Sequence, residues 1–416
     1  MKRRDFLKIA GAVSLAGCAT TTLSKARVVV IGGGFGGATA AKYIRMWDPA
    51  IDVVMVERES AFISCPLSNL VLGGSKSLDD LTRSRDGLRK HGVQIVHDDA
   101  TAVDTTKKVV RLARGGDLAY ERLIVSPGID FLFNEVGGYE AAMNSGRVLH
   151  AWRAGAQTAD LRKQLVAMKD GGVYVLAIPT APYRCPPGPY ERACQVASYF
   201  KQAKPRSKVL LLDANPDVTS KGPLFKRAWE DLYKGIIEYR PNQKAIGVDA
   251  AAMAVKLEFE NVRGDVLNVV PPHRAGDIAV KTGLITHNSR WCDVDWRSCE
   301  SKAVKGVHVL GDSTLSANGM PKSGHIANSM AKVCAAAVVE LLNGREPNPS
   351  PVMNNTCYSF VSEKEVIHVA SVHQWDAAQN TILPVKGAGG VSAARSELEA
   401  QYGWSWAQNI WADMLG

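Results

Sequence analysis

The sequence predicts an α/β protein of two Rossmann-like, dinucleotide-binding-type domains with a small C-terminal α+β interface domain. Three observations carry that prediction. A β-branched run, Arg27 to Ile31, enters a glycine-rich turn and then an alanine-rich helix, Ala38 to Trp47. A second apolar run, Val173 to Ile178, is followed by another, Lys208 to Leu212, that ends in Asp213. A short apolar strand near residue 306 ends in Gly311-Asp312 and leads through a Gly/Pro-bearing loop into a long helix, about Ser323 to Leu342. With 416 residues, 46% hydrophobic and 22% charged, the chain has room for two or three cores, which excludes disordered and collagen-like classes. The net charge of +9 is scattered and no aromatic-studded basic run accompanies it, so nucleic acid is not an expected partner.

Residues 1–25 read as a targeting segment ahead of the fold. Arg3-Arg4 followed by Phe6-Leu7-Lys8, then a short apolar stretch from Ile9 to Leu15, resembles a twin-arginine export signal, which implies a periplasmic destination. Such a signal serves proteins exported already folded around a cofactor. Leu15-Ala16-Gly17-Cys18 looks like a lipobox, which would place a lipid anchor at Cys18 and make Ala19 to Ser24 a tether; an ordinary cleavage site with a chance cysteine is the alternative. No later window approaches 18 uninterrupted apolar residues, so no membrane span is expected.

In the first domain, Gly32, Gly34 and Gly37 fall on the G-x-G-x-x-G frame between strand and helix. Missing side chains there permit a tight turn and let a pyrophosphate sit on the helix N-terminus. The next strand, Ile51 to Val56, ends at Glu57, twenty residues after Gly37, where a carboxylate can accept both ribose hydroxyls of an adenosine. Asp312 and the helix after it resemble the ribityl-binding Asp and flavin-facing helix of the disulfide reductase-like flavoproteins, as does Tyr120 to Gly128 at the exit from the first domain. The resemblance implies FAD and a discontinuous FAD-binding domain, 26–148 plus 270–346. Residues 149–269 form the second domain and 347–416 the interface domain, with a loop-like Gly387 to Gly390.

The second domain should open its turn with another glycine fingerprint if nicotinamide were the partner. Instead, Pro179 to Glu191 carries prolines at 179, 182, 186, 187 and 189 around Cys185, and proline cannot form a glycine-rich backbone nest. Nicotinamide is therefore disfavoured. Cys185 lies where a catalytic element should face the flavin, and Cys357 lies just beyond the long helix; taken singly, each also fits a buried inert thiol. Cys65, eight residues after the second strand, sits on a loop placed to pass over the flavin. Cys194 and Cys334 read as small buried apolar residues, and Cys292 and Cys299 show no ligand spacing, so no metal is expected.

With those residues in hand, the chain resembles the flavoprotein subunit family of flavocytochrome c sulfide dehydrogenase. The likeness rests on Gly32 to Tyr43, Arg184 to Ala193, Met320 to Gly324, Asn355 to Tyr358 and the tail Tyr402 to Gly416. It implies FAD held covalently through Cys65, a redox disulfide between Cys185 and Cys357, and a sulfide pocket completed by Glu191 and Trp406. Hydrosulfide would be oxidised to sulfur or polysulfide, with electrons passed to a cytochrome c subunit in a heterodimer. No C-x-x-C-H occurs in the chain, so haem c is expected only on that partner.

Alternatives stay open at single positions and for the whole. Glu191 also suits a helix cap or ion pair, Lys322 either supplies charge near a reduced flavin or faces solvent, and His325 packs or caps. The indoles Trp404, Trp406 and Trp411 suit burial in the protein or contact with a membrane. A membrane-associated sulfide:quinone oxidoreductase shares the fold and the dithiol chemistry, and a non-catalytic flavin-bearing assembly protein is a third reading.

Overall fold

A computed structural model describes residues 26–416; Arg3-Arg4, the lipobox at Cys18 and the tether through residue 25 lie outside the described residues. The first, mixed sheet begins with the parallel strands β1 (Ala26–Ile31), β2 (Ile51–Val56), β3 (Gln94–Val96) and β4 (Arg122–Val125). Val28 to Val30 are fully buried, because this strand runs between two parallel neighbours and is covered on both faces. The crossover helix α1 (Phe35–Trp47) presents alanines and Ile44 to the sheet.

The chain changes sheet at β5 (Val148–Leu149). This strand pairs with β9 (Val266–Val269) in a second parallel sheet that also holds β6 (Val173–Ile178), β7 (Lys208–Asp213) and β8 (Ile237–Arg240). The order is β5-β9-β6-β7-β8, all parallel. The helices α3 (Gly188–Ala203) and α4 (Gly222–Tyr233) pack beside it. The chain then returns to the first sheet through β10 (Val294–Asp295), β11 (Glu300–Ser301) and β12 (Val307–Val309), giving the order β10-β11-β12-β4-β1-β2-β3. The strand expected to reach Asp312 ends at Val309, and Asp312 sits in a 3-10 turn, Gly311–Ser313.

The long helix is α5 (Gly324–Leu342), packed against α1. Among the described residues it is the one helix long and apolar enough to cross a membrane, and more than half of it is buried in the protein. A three-stranded antiparallel sheet follows, β13 (Val352–Phe360), β14 (Val366–Asp376) and β15 (Thr381–Val391), and α6 (Glu397–Leu415) closes the chain. The expected loop Gly387 to Gly390 is therefore strand. The ladder shifts register between Ser371 and His373, and a Cβ at Gly389 would lie 2.4 Å from the Ala370 oxygen, so glycine is what lets this edge pair closely.

The terminal helix is strapped back onto the first domain. Lys42 Nζ donates to the carbonyls of Ala412 and Asp413 at 3.1 and 2.9 Å, which meets a helix end with positive charge. Asp413 accepts from Tyr43 and Asn328 and pairs with Lys332. Trp411 is buried, while Trp404 and Trp406 are half-buried.

Candidate active site

The turn after β1 is shaped to receive a ligand. Gly32 has φ +97°, and a Cβ there would stand 2.3 Å from the Ser126 oxygen; at Gly37 it would stand 1.8 Å from the Gly32 oxygen. Only glycine lets α1 seat this tightly on the turn. At Gly34 a Cβ would meet nothing within 4 Å, and Gly34 caps α1 with no side-chain hydrogen bond, so the helix start faces open space. Glu57, at the end of β2, holds the loop from the other side: its Oε2 accepts from Gly33 N at 2.6 Å, with Arg85 3.7 Å away.

Across this opening, Asp312 is half-buried, and its buried Oδ1 has no partner among the described residues. Burial pushes its carboxyl up, while Arg184 and Lys322 pull it down. A buried carboxylate oxygen left unmet is costly, and a polyhydroxyl chain would satisfy it. The open glycine turn, the free helix start, Glu57 and the orphaned Asp312 together fit FAD, with its pyrophosphate, adenosine ribose and ribityl chain as the groups received.

Lys322 is buried rather than solvent-facing. Its ammonium donates to the carbonyls of Asp312 and Thr314 and lies 3.7 Å from the centre of the Trp291 ring. Burial draws its pKa down to about 7. The carbonyl of the same residue accepts from Cys185 N at 2.8 Å. Lys322 thus ties the Asp312 turn to the proline-rich turn of the second domain.

Cys185 sits in that second turn at φ +59°, a left-handed conformation uncommon outside glycine. The Lys322 carbonyl and a bond from Gly188 N to its own carbonyl hold it there. Its thiol is pushed well above the usual range by burial first, then by Cys357 and Glu191. Cys357, on β13, is raised by burial and by Glu191 and lowered by Lys221. The structure therefore brings Cys185, Cys357 and Glu191 into one cluster, with both cysteines as free thiols.

Glu191 lies in the first turn of α3 but caps nothing there. Oε2 accepts from Asn69 Nδ2 at 2.8 Å and Oε1 accepts from Phe360 N at 2.8 Å, so it joins the first domain to the end of β13. Burial raises its carboxyl against the pull of those bonds, Lys221 and Arg192. The short helix α2 (Asn69–Gly73) reaches α3 because Gly73 lets Gln195 approach to 2.8 Å of where a Cβ would be. Arg192, also buried, donates to Asn69 Oδ1, Asn268 Oδ1 and the carbonyls of His150 and Ala151. Its charge faces Cys185, Glu191 and Cys65. Cys65 is half-buried, and its sulfur accepts from Ala154 N at 3.4 Å at the crossover between domains.

The remaining predicted residue, Trp406, meets other groups. Its Nε1 faces His325 Nδ1 at 3.4 Å and its ring lies 6.2 Å from that of Tyr358. Successive side chains of a strand point to opposite faces, so Tyr358 and Trp406 lie across β13 from Cys357. His325 Nδ1 also accepts from Thr356 N at 2.9 Å, which makes it the link between the tail helix and the strand of Cys357. Asn69 and Lys221 escaped the sequence reading because each reaches the cluster through packing of separate elements and carries no local motif; Arg192 lies within the Arg184 to Ala193 pattern, but its partners Asn69, His150, Ala151 and Asn268 are set by packing.

The turn where a second dinucleotide would bind is occupied by side chains. Asp213 Oδ2 accepts from the hydroxyls of Tyr190 at 2.7 Å and Tyr239 at 3.1 Å, and Oδ1 accepts from Asn215 N at 2.9 Å. Tyr183 adds a bond to Thr219 at 2.8 Å. The carboxylate that a ribose would need is already satisfied.

Comparison with known proteins agrees with this geometry. Residues 158–271 match the model of the sulfide dehydrogenase [flavocytochrome c] flavoprotein chain, central; residues 349–415 match flavocytochrome c sulphide dehydrogenase, flavin-binding; residues 26–166 match pyridine nucleotide-disulphide oxidoreductase. The sulfide dehydrogenase [flavocytochrome c] flavoprotein chain of Chlorobaculum thiosulfatiphilum is 62% identical over 45 residues, 11% of this chain and 94% of that one. The mitochondrial sulfide:quinone oxidoreductase of Mus musculus is 24% identical over 312 residues, 72% of this chain and 68% of that one. The crystal structure of the sulfide:quinone oxidoreductase from Aquifex aeolicus shares the fold with a TM-score of 0.77 at 17% identity, covering 93% of this chain and 91% of that one. A glycine cradle in the first sheet, a filled turn in the second and two clustered cysteines thus accompany matches, over residues 158–271 and 349–415, to the flavocytochrome c sulfide dehydrogenase flavoprotein family.

Proposed function

We propose that this chain oxidises hydrosulfide to sulfur or polysulfide at the Cys185–Cys357 pair and passes the electrons to a cytochrome c subunit. The observation that carries the reading is that half-buried Cys185, at the turn where a nucleotide fingerprint is replaced, clusters with half-buried Cys357 of β13 and buried Glu191. Hydrosulfide attacks one sulfur of the oxidised pair; the S–S bond breaks, one cysteine becomes a persulfide and the other leaves as a thiolate with the bonding electron pair. A second hydrosulfide takes the outer sulfur as a disulfane and frees the second thiolate. When held in the glycine cradle by Glu57 and Asp312, FAD would supply the two-electron oxidant for the dithiol and a route for electrons to leave one at a time. Glu191, its carboxyl raised by burial, takes the proton of the incoming sulfur species and is oriented for this by Asn69 and the Phe360 amide. Cys65 carries FAD through a thioether, and Lys322 sets the spacing between the Asp312 turn and Cys185.

The acceptor is the finer part of the reading. The two family models and the Chlorobaculum match support a cytochrome c. The longer matches to sulfide:quinone oxidoreductases support quinone as the second reading. Anaerobic sulfide titration should bleach the flavin absorbance, and reoxidation should be faster with cytochrome c than with a short-chain quinone. The reverse order would reassign the acceptor, and a flavin untouched by sulfide would remove the reading. Export to the periplasm and a lipid on Cys18 belong to the same proposal, and an intact mass beginning at Cys18 with acyl groups would support them.

A further inference from the structure

Lys221 is a buried cation that the sulfur chemistry above does not use. It begins α4 at φ +57°, a strained position for a lysine, and its side chain leaves the second domain to enter the C-terminal sheet. There Nζ donates to the Cys357 carbonyl at 3.0 Å, Ser359 Oγ at 2.8 Å and the Ile367 carbonyl at 3.3 Å. These acceptors fix the ammonium beside the backbone of the redox cysteine. The charged or titratable groups facing it are Cys357, Glu191, Cys185 and Glu399; Cys185 is also faced by Arg184, and Glu191 by Arg192. Glu399 is held away in its own bonds to Ser392 and His368.

We propose that Lys221 makes Cys357 the thiolate-bearing member of the pair, so that the sulfane sulfur is taken by Cys185. Lys221 is a positioning residue: it reaches Cys357 through the peptide carbonyl and through the field of its charge. The proposal rests on the sulfide reading for its consequence. When hydrosulfide forms a bond to Cys185 Sγ, the Cys185–Cys357 bond breaks and its electron pair stays on Cys357 Sγ beside the ammonium, while the hydrosulfide proton passes to Glu191. A thiolate leaves more readily when its pKa is lower. Burial raises both thiols, and Lys221 lowers both; against Cys357 it is the largest opposing influence, whereas at Cys185 it stands behind Arg184 and that thiol is pushed well above its usual range.

The test needs no sulfide. The FAD-loaded full chain, reduced under anaerobic conditions, is alkylated with iodoacetamide across a pH series, and each cysteine is followed by peptide mass spectrometry. In the wild type Cys357 should react with a lower pH midpoint than Cys185; the opposite order overturns the proposal without any variant. Lys221→Gln should raise the Cys357 midpoint by about one to two pH units, the shift expected for losing one close opposite charge, and move Cys185 less. Lys221→Arg should restore most of it. A Lys221→Gln protein that melts earlier but keeps its Cys357 midpoint shows a purely structural lysine and overturns the proposal. Loss of sulfide oxidation with this alkylation pattern intact would instead count against the sulfide reading alone.

Discussion

The two Rossmann-like sheets of this protein share a parallel core and end differently. At the carboxyl end of β1 the turn is glycine, the helix start is open and Asp312 carries an oxygen without a partner among the described residues. At the equivalent end of β6 the turn is proline-rich, and the carboxylate of Asp213 is bound by two tyrosine hydroxyls and an amide. The same scaffold therefore makes a cradle once and a plug once. A fold positions a site, but the polar atoms at strand ends decide whether a ligand belongs there. Closing the second turn also puts Cys185 where a nicotinamide-binding loop would have stood.

The largest effect should come from the plug. Replacing Cys185 or Cys357 with Ser should lower sulfide-dependent turnover by about a thousandfold, as expected for loss of a covalent nucleophile, while leaving flavin content unchanged. Near wild-type turnover in both variants would show that the second turn takes no part in the chemistry. The oxidised wild type should also yield a Cys185 to Cys357 cross-linked peptide that reduction splits.

Next is attachment at the cradle. Acid-denatured wild type should keep its yellow chromophore on the chain, and Cys65→Ser should release it. Free flavin from the denatured wild type would break the covalent assignment while sparing the cradle.

The two aspartates test the comparison directly. Asp312→Ala should weaken flavin retention by about tenfold or more with little loss of thermal stability in the flavin-free chain, because the lost oxygen had no partner to abandon. Asp213→Ala should do the reverse, costing about 3 kcal/mol by stranding the hydroxyls of Tyr190 and Tyr239, with flavin retained. Equal stability losses in both, measured by chemical denaturation, would erase the distinction between open and filled turns.

The smallest effect is in pH dependence. The folded protein keeps the Glu191 proton to higher pH than the ordinary value of 4.5, so the folded state binds more protons in that window. This carboxyl's contribution is present at low pH and is lost as pH rises from about 4.5 through its raised value. Glu191→Gln should therefore flatten the melting temperature over mildly acidic pH. A slope unchanged from wild type would mean that Glu191 ionises as freely folded as unfolded.

The local patterns legible in the chain are those with short range. Apolar runs, β-branched in β1, named β1, β2, β6 and β7, and glycine spacing located the cradle, because a tight turn demands missing side chains within a few residues. The replaced fingerprint around Cys185 was equally plain, since proline cannot stand in for glycine. Elsewhere local pattern misled: Gly387 to Gly390 has a loop's composition but lies in β15, where pairing with β14 overrides it.

By itself the sequence determined the pair of Rossmann-like units, the glycine cradle with Glu57 and Asp312, the proline-rich turn and the cysteines available for redox work. Tertiary structure alone decided that Cys185 and Cys357, on different domains, share a cluster, that Asn69 and Phe360 hold Glu191, and that Lys221 crosses between units to reach β13. It also turned Lys322 inward onto Trp291 and set Trp406 on the far side of β13 from Cys357. The physical reason is that partners tens to more than a hundred residues apart leave no periodicity in the chain. Their meeting depends on how three separately patterned units pack, and burial then sets the charge each group can hold.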